Sequence, residues 1–446
     1  MEKFIKRTVY PLLMKGIKEK YISVVLGPRQ TGKTTLVKKL INDLKSGGVP
    51  EKNILFLNFD DPELRTELAR KPKNLLRKAE QFFGEPIGEL TGKKYIFLDE
   101  IQKLPQIFDI LKILYDDYQT KIKIVITGSS SLTLFKQSAE ILVGRIRFYH
   151  LSPLSWREII SETAALPDYS FIKEIIKGDI TYKEYLKLQS AIFSKKEKMI
   201  FYWNNYLISG GLPEIFLMKN QEKKLEALRD YLATYIERDI KKLKQVGDEM
   251  LFLDTVNAFL FQDAKILNFS ALASSIGIQR LTLKKYFYIL NETFILNPLY
   301  PFVKQTKQIA KNPKIYFFDH GLVNYSRKIY SFDQLSVSEN LGFVFENIIV
   351  NNLLAHFAND SRSPSINFWR DYQDHEIDMV ISNSKKIIPI EITYSDKISR
   401  KKINNFKAFY KIFPEANNGF IIWRGEFEQF KVGDKTIFAI PFWMWW

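Results

Sequence analysis

Residues 24–40 read VVLGPRQTGKTTLVKKL, and within them Gly27, Pro28, Arg29, Gln30, Thr31, Gly32, Lys33 and Thr34 keep the spacing G-x-x-x-x-G-K-[ST]. Apolar residues lead in and a Lys-rich stretch with helical apolar spacing (Leu36, Val37, Leu40, Ile41) leads out. Strand, glycine loop and helix in that order form the context of a phosphate-binding loop. The two glycines let the backbone wrap close enough for its N–H groups to face phosphate oxygens, and the new helix adds the positive end of its dipole. Lys33 would reach the β- and γ-phosphates, the Thr34 hydroxyl would hold Mg²⁺, and Thr35 extends the loop into the first turn. ATP and Mg²⁺ are the cofactors this chemistry calls for.

The stretch KKYIFLDEIQKLP supplies a second half for such a site. Four apolar residues, Tyr95 to Leu98, predict a buried strand whose end presents Asp99 and Glu100. Asp99 suits Mg²⁺ binding through water, and Glu100 suits orienting or deprotonating an attacking water. A further strand, KIVITGSSS, ends in hydroxyls. Ser129, with Thr127 and Ser130 as rivals, is placed to sense the γ-phosphate. Arg145 precedes the next strand, where it could neutralise charge in a neighbouring subunit's site. A surface ion pair is the plainer use of the same residue.

Three carboxylates near the C-terminus form another constellation. Asp378 opens an apolar run, Glu391 lies within IPIEI, and a hairpin between them would bring both together, with Glu346 added from the preceding helix. Carboxylates converging in this way can hold Mg²⁺ for phosphodiester hydrolysis.

Elements that position these groups alternate in type. Residues 22–26, 53–58, 94–98, 122–127 and 146–151 read as short apolar strands with helical patterns between them, an α/β sheet. Residues 156–246 read as charged helices broken at ISGGLPEIF. Then come a short helix from Ser270 to Ile276, a turn at Gly277, and a second helix to about Asn291. A strand-like pair at Ile295–Leu296 and Tyr300–Phe302 follows, the order of a winged helix-turn-helix. Arg280, Lys284 and Lys285 on the second helix would meet phosphates or base edges if that helix reads nucleic acid. A solvated basic face on a packing module is the alternative.

With 66 Lys+Arg against 50 Asp+Glu the net charge is +16, which favours polyanions, nucleic acid first. Plain solubility also produces lysine-rich surfaces. There is no cysteine, so disulfides and thiolate metal sites are excluded, and a reducing, cytoplasmic setting is expected. His150, His320, His356 and His375 lack zinc-ligand spacing. No apolar run reaches the roughly 18 residues of a membrane span. The terminal FWMWW is too short for one and is expected to seal a core or a subunit contact.

The ordered set GPRQTGKTT, FLDEIQKLP, ITGSSS, LVGR, LSPLSWREI, GGLPE, YIERDI, FFDHGL, FENIIVNNLL, WRD, EIDMVI and IPIEIT carries a resemblance. It is similar to archaeal and bacterial AAA-type ATPases with a winged helix and a C-terminal domain of unknown function resembling PD-(D/E)xK nucleases. That resemblance implies a phosphate-loop core at 1–152, a helical lid at 153–248 with an insertion at 160–200, a winged helix at 249–312 and a nuclease-like domain at 313–446. It also implies that Gly27–Thr34 and the pair Asp99–Glu100 form the ATPase site, with Ser129 as sensor and Arg145 as arginine finger. Arg238, in YIERDI, would be a lid arginine on the γ-phosphate. The nuclease pattern asks for a lysine two residues after Glu391, where this chain has Thr393, so cleavage is not expected unless Lys385 or Lys397 reaches in. The expected role is an ATP-hydrolysing homo-oligomer acting on DNA, not on a membrane. Its rival is a nucleotide-dependent signalling switch whose C-terminal domain binds a protein partner.

Overall fold

Five short apolar runs become strands β1 (Ile22–Leu26), β2 (Ile54–Asn58), β3 (Lys94–Asp99), β4 (Ile122–Gly128) and β5 (Ile146–His150), each ending within one residue of the sequence expectation. The computed structural model describes residues 4–129, 141–161, 172, 175–176, 182–193, 195–235, 249–303 and 312–445. The five strands are parallel and lie in the order β2-β3-β4-β1-β5. Central strands of such a sheet are covered on both faces, which is why β1 and β4 read as unbroken apolar runs and are buried along their whole length. One face packs on Leu111 and Leu114 of the helix Phe108–Tyr118 and on Leu75, Ala79 and Phe83 of the helix Asn74–Phe83. The sequence leaves β1 for the far edge and returns to its side only at β4 and β5. The C-terminal ends of β1, β3 and β4 therefore share one rim, where ligands of open α/β sheets bind.

Residues 7–152 with 292–294 form one compact unit, and the rest of the chain forms another. In the second unit β6 (Lys265–Ile266), β7 (Leu296–Leu299) and β8 (Lys314–Phe317) pair antiparallel in the order β6-β8-β7. Helices Glu249–Phe261, Phe269–Ile276 and Arg280–Glu292 bury Phe252, Leu272, Leu283 and Phe287 in a common core with this sheet. Asn268 caps the short helix by accepting from Ser270 and Ala271 N–H, and Gly277 ends it at φ +77°. The strand partner of β7 differs from expectation. Tyr300–Phe302 does not pair with it; Pro301 lacks an N–H, and Phe302 N–H instead donates to Phe368 O at 2.6 Å. Lys314–Phe317 takes the position, so the three-stranded sheet extends past residue 312.

Six further strands form a mixed sheet: β9 (Ser365–Arg370), β10 (Glu376–Ser382), β11 (Ile387–Thr393), β12 (Gly419–Trp423), β13 (Glu428–Val432) and β14 (Lys435–Pro441). Their order is β13-β14-β12-β11-β10-β9. The pairs β9/β10 and β10/β11 are antiparallel, whereas β11/β12 is parallel and needs the crossover helix Arg400–Ile412. Helix Leu341–Phe357 shares a core with the opposite face through Phe345, Ile349 and Leu353. The helices around Trp156, Trp203 and Tyr206 do not stand apart as a lid. They share this same core with Phe345, Phe442, Trp443 and Trp445, and the Trp156 and Trp203 rings meet edge to face at 4.9 Å. The aromatic tail thus seals a core, as one of its two expected uses.

Candidate functional site

The phosphate loop begins where β1 ends and closes at Gly32, which caps the helix Lys33–Ser46 at φ +90°. Gln30 also takes positive φ, +57°. A Cβ at Gly27 would stand 2.1 Å from Leu151 O, so only glycine lets the loop pass there. Thr31 Oγ1 donates to Pro28 O at 2.8 Å, and Arg7 Nη1 donates to Thr31 O at 2.7 Å. Lys33 is 4% exposed and its Nζ donates to Gly27 O and Pro28 O at 3.0 and 2.8 Å. The ammonium is thus held inside the loop by the loop's own carbonyls. Gln30 and Thr35 are exposed, Arg29 is half-buried and Pro28 is buried.

Asp99 joins the loop directly. Thr34 Oγ1 donates to Asp99 Oδ2 at 2.7 Å, and Thr127 Oγ1 donates to Asp99 Oδ1. A hydroxyl and a carboxylate side by side are hard oxygen donors of the kind Mg²⁺ takes, so the donor set fits the ion. Thr127 serves Asp99, which separates it from Ser129 as a sensor candidate. Glu100 follows at φ +58°, ψ +44°, a left-handed conformation uncommon outside glycine, with its N–H on Thr127 Oγ1 at 3.0 Å. That turn exposes a residue the sequence reading passed over. Gln102 Nε2 donates both to Glu100 Oε2 at 2.6 Å and to Ser129 Oγ at 2.8 Å. The signal was present in DEIQ, but the contact depends on the turn at Glu100.

Other expected residues lie elsewhere. Arg145 is held by its own chain: Nε and Nη2 meet the two oxygens of Asp116 at 2.6 and 2.9 Å. Its carbonyl accepts from Ile22 N–H at 2.8 Å, at the start of β1, roughly 15 Å of strand away from the loop. Arg238 and Ser130 lie outside the described residues. Arg280, Lys284 and Lys285 are exposed on one helix, with Lys284 Nζ 5.7 Å from the Phe269 ring centre. Leu281 and Tyr288, also exposed, extend that surface.

Glu346, Asp378 and Glu391 do converge, but not on a metal position. Lys402, from the crossover helix, donates to Asp378 Oδ2 at 2.9 Å, to Ile392 O at 2.9 Å and to Glu391 Oε2. Lys314, from β8, lies 2.5 Å from Glu346 Oε1, 2.7 Å from Glu376 Oε1 and 3.4 Å from Asp378 Oδ1. Tyr316 OH and Asn405 Nδ2 donate to Glu346 and Glu391, each at 2.7 Å. A bulge in β10 between Ile377 and Val380 sets Asp378 into this group. Burial pushes the Glu346 carboxyl up to about 7 and raises Glu391, while Lys402 and Lys314 hold Asp378 low. No group of three or more acidic or histidine side chains among the described residues is arranged to hold a metal ion. This corrects the metal reading of Glu346, Asp378 and Glu391. The lysines that meet these carboxylates are Lys402 and Lys314, where Lys385 or Lys397 was expected.

Residues 19–160 match the family described as an AAA domain. Residues 200–333 and 341–445 match two families described as domains of unknown function. An uncharacterized protein of Mycobacterium tuberculosis is 24% identical over 98% of this chain and 83% of its own length. Another, from Methanocaldococcus jannaschii, is 26% identical over 95% of this chain and 88% of its own. Among solved structures, the ADP form of the Aeropyrum pernix ORC2 protein aligns with a TM-score of 0.34 at 12% identity, over 76% of this chain and 96% of that one. AMPPCP-bound DnaA from Aquifex aeolicus aligns at 0.26 and 14%, over 64% and 86%. The match to an AAA domain thus falls on the segment that carries the five-stranded parallel sheet and the phosphate loop. No helix among the described residues is long and apolar enough to cross a membrane.

Proposed function

We propose that this protein hydrolyses ATP at the loop Gly27–Thr34 and couples turnover to DNA. The Thr34–Asp99 hydrogen bond carries the reading, because it puts the loop and the strand-end carboxylates into one site. Lys33 exchanges the Gly27 and Pro28 carbonyls for the β- and γ-phosphates, stronger acceptors in the same cradle. Glu100 takes the proton of the attacking water, and Gln102 ties its carboxylate to Ser129, which faces the γ-phosphate. Mg²⁺, bound by Thr34 and by Asp99 through water, would neutralise phosphate charge.

Helices 249–261, 269–276 and 280–292 with the β6-β8-β7 sheet have the element order of a winged helix, which supports a DNA-facing role for Arg280, Lys284 and Lys285. Helix 341–357, β9, β10, β11, helix 400–412 and β12 follow the order of a PD-(D/E)xK nuclease core. We read that domain as a docking surface without cleavage, since both lysines occupy its carboxylates. ATP turnover by the full-length protein should rise with added duplex DNA and lose that stimulation steeply between 50 and 200 mM salt, values typical for several phosphate contacts. The double variant Lys284→Glu, Lys285→Glu should abolish the stimulation and leave basal turnover intact. No substrate, duplex, single-stranded or branched, should be cut with Mg²⁺ or Mn²⁺. Turnover blind to DNA would instead favour the signalling switch with a protein partner, and cleavage lost in Glu391→Ala would overturn the docking role.

Arg145 sits at the sheet end opposite its own loop, so any catalytic use of it is in a neighbouring subunit of a homo-oligomer. Arg145→Ala should bind ATP and hydrolyse it poorly, and mixing it with Lys33→Ala should restore part of the rate. An ion pair with Asp116 and nothing more would leave the rate of Arg145→Ala unchanged.

A further inference from the structure

We infer that Lys314 is a tethered cation standing in the place of a divalent metal, which closes the carboxylate cluster of the C-terminal domain to metal ions. The comparison with a metal rests on the nuclease-like reading above; the charge geometry does not. Lys314 is 3% exposed, and its ammonium meets oxygens of three different carboxylates, Glu346 at 2.5 Å, Glu376 at 2.7 Å and Asp378 at 3.4 Å. An ammonium has three N–H donors and no acceptor, so three oxygens saturate it. Magnesium would draw the same oxygens to about 2.0–2.1 Å and keep waters of its own. Here the second oxygen of Asp378 already accepts from Lys402 and from Ile392 N–H at 2.8 Å, and Glu346 Oε1 accepts from Tyr316.

The source of the lysine gives the arrangement its consequence. Lys314 comes from β8 of the three-stranded sheet, whereas Glu376 and Asp378 sit on β10 of the six-stranded sheet and Glu346 on the helix Leu341–Phe357. One side chain therefore both neutralises the cluster and ties two sheets together. A metal can be chelated away; a covalently tethered ammonium cannot. Removing the lysine charge should leave carboxylates that repel one another and accept a divalent ion in its stead.

Thermal unfolding of the full-length, nucleotide-free protein in EDTA and across a Mn²⁺ titration tests this. Wild type should unfold at the same temperature throughout. Lys314→Met should unfold roughly 5–10 °C lower in EDTA and recover with saturating Mn²⁺. Adding Glu346→Gln to Lys314→Met should abolish the Mn²⁺ response while restoring part of the loss. If Lys314→Met does not fold, the double variant should still fold in EDTA, because the excess charge has gone. The inference is overturned if wild type shows a saturable Mn²⁺ shift that Glu346→Gln removes. A folded Lys314→Met blind to Mn²⁺, or a double variant no better than the single, would overturn it as well. ATP turnover measured separately, with Mg²⁺ and without EDTA, reports on the N-terminal unit, and its absence in wild type would count against the ATPase reading alone.

Discussion

Glu100→Gln is expected to bind ATP as tightly as wild type and to lose turnover by roughly 10²–10⁴-fold, the range a positioned general base supplies. The amide keeps the size of the side chain and can still accept from Gln102, so the turn at φ +58° survives. It cannot take a proton. Lys33→Ala should fail at the earlier step. Its ammonium is the buried cation of the loop, and losing charge-assisted bonds to two phosphates should weaken affinity by roughly 10–100-fold. Equilibrium binding of a fluorescent ATP analogue and single-turnover phosphate release separate the two defects. Normal release by Glu100→Gln would remove Glu100 from its assigned role, and Asp99 would then be the remaining carboxylate on the loop.

The phosphate loop and its neighbouring strand were readable because their residues are nearly contiguous: eight residues make the loop, and the end of one strand brings Asp99 onto Thr34 with Glu100 next in sequence. Strand period and a glycine pair suffice for that much. What stayed hidden was supplied by tertiary crossovers. Lys402 meets Glu391 of β11 from 11 positions downstream on the crossover helix, and Lys314 meets Glu376 from 62 positions upstream on another sheet. A pattern that looks for lysine at 393 cannot see either. The strand pair was missed for a related reason. Apolar alternation marks a strand without naming its partner, and Pro301 sent Tyr300–Phe302 toward Phe368 while Lys314–Phe317 closed the sheet. The glycine pair in GGLPE and the Asp-His-Gly in FFDHGL were legible as motifs, yet nothing local showed that they meet.

They meet at Gly210, and its replacement carries the other large expected effect. Gly210 lies at φ +74°, ψ −169°, a region essentially closed to other residues, at a strain of about 1–3 kcal/mol. An alanine Cβ there would stand 2.1 Å from Asp319 Oδ1. That carboxylate is 1% exposed and accepts from Gly211 N–H at 2.6 Å and Gly321 N–H at 2.9 Å. Pushing it aside orphans buried donors, about 1–3 kcal/mol more. Gly210→Ala should therefore destabilise the second unit by roughly 3–5 kcal/mol in urea unfolding, with ATP binding by the N-terminal unit as a separate readout. A loss below about 1 kcal/mol would mean the turn is not held by Asp319. The same clasp sets a pH signature. Burial pushes Asp319 up to about 6 and His320, whose ring nitrogen meets Tyr206 O at 2.6 Å, down to about 4. A raised carboxyl stabilises most below pH 4 and loses that contribution as pH rises through 6. A depressed histidine does the reverse: its contribution is complete above 6.5 and is lost as pH falls toward 4. Each is of order 3 kcal/mol and the two offset across that window. Asp319→Asn removes one slope and leaves the other. Its stability, measured from pH 7 to 4, should fall more steeply on acidification than that of wild type, and parallel curves would show that the two groups do not titrate against each other in the clasp.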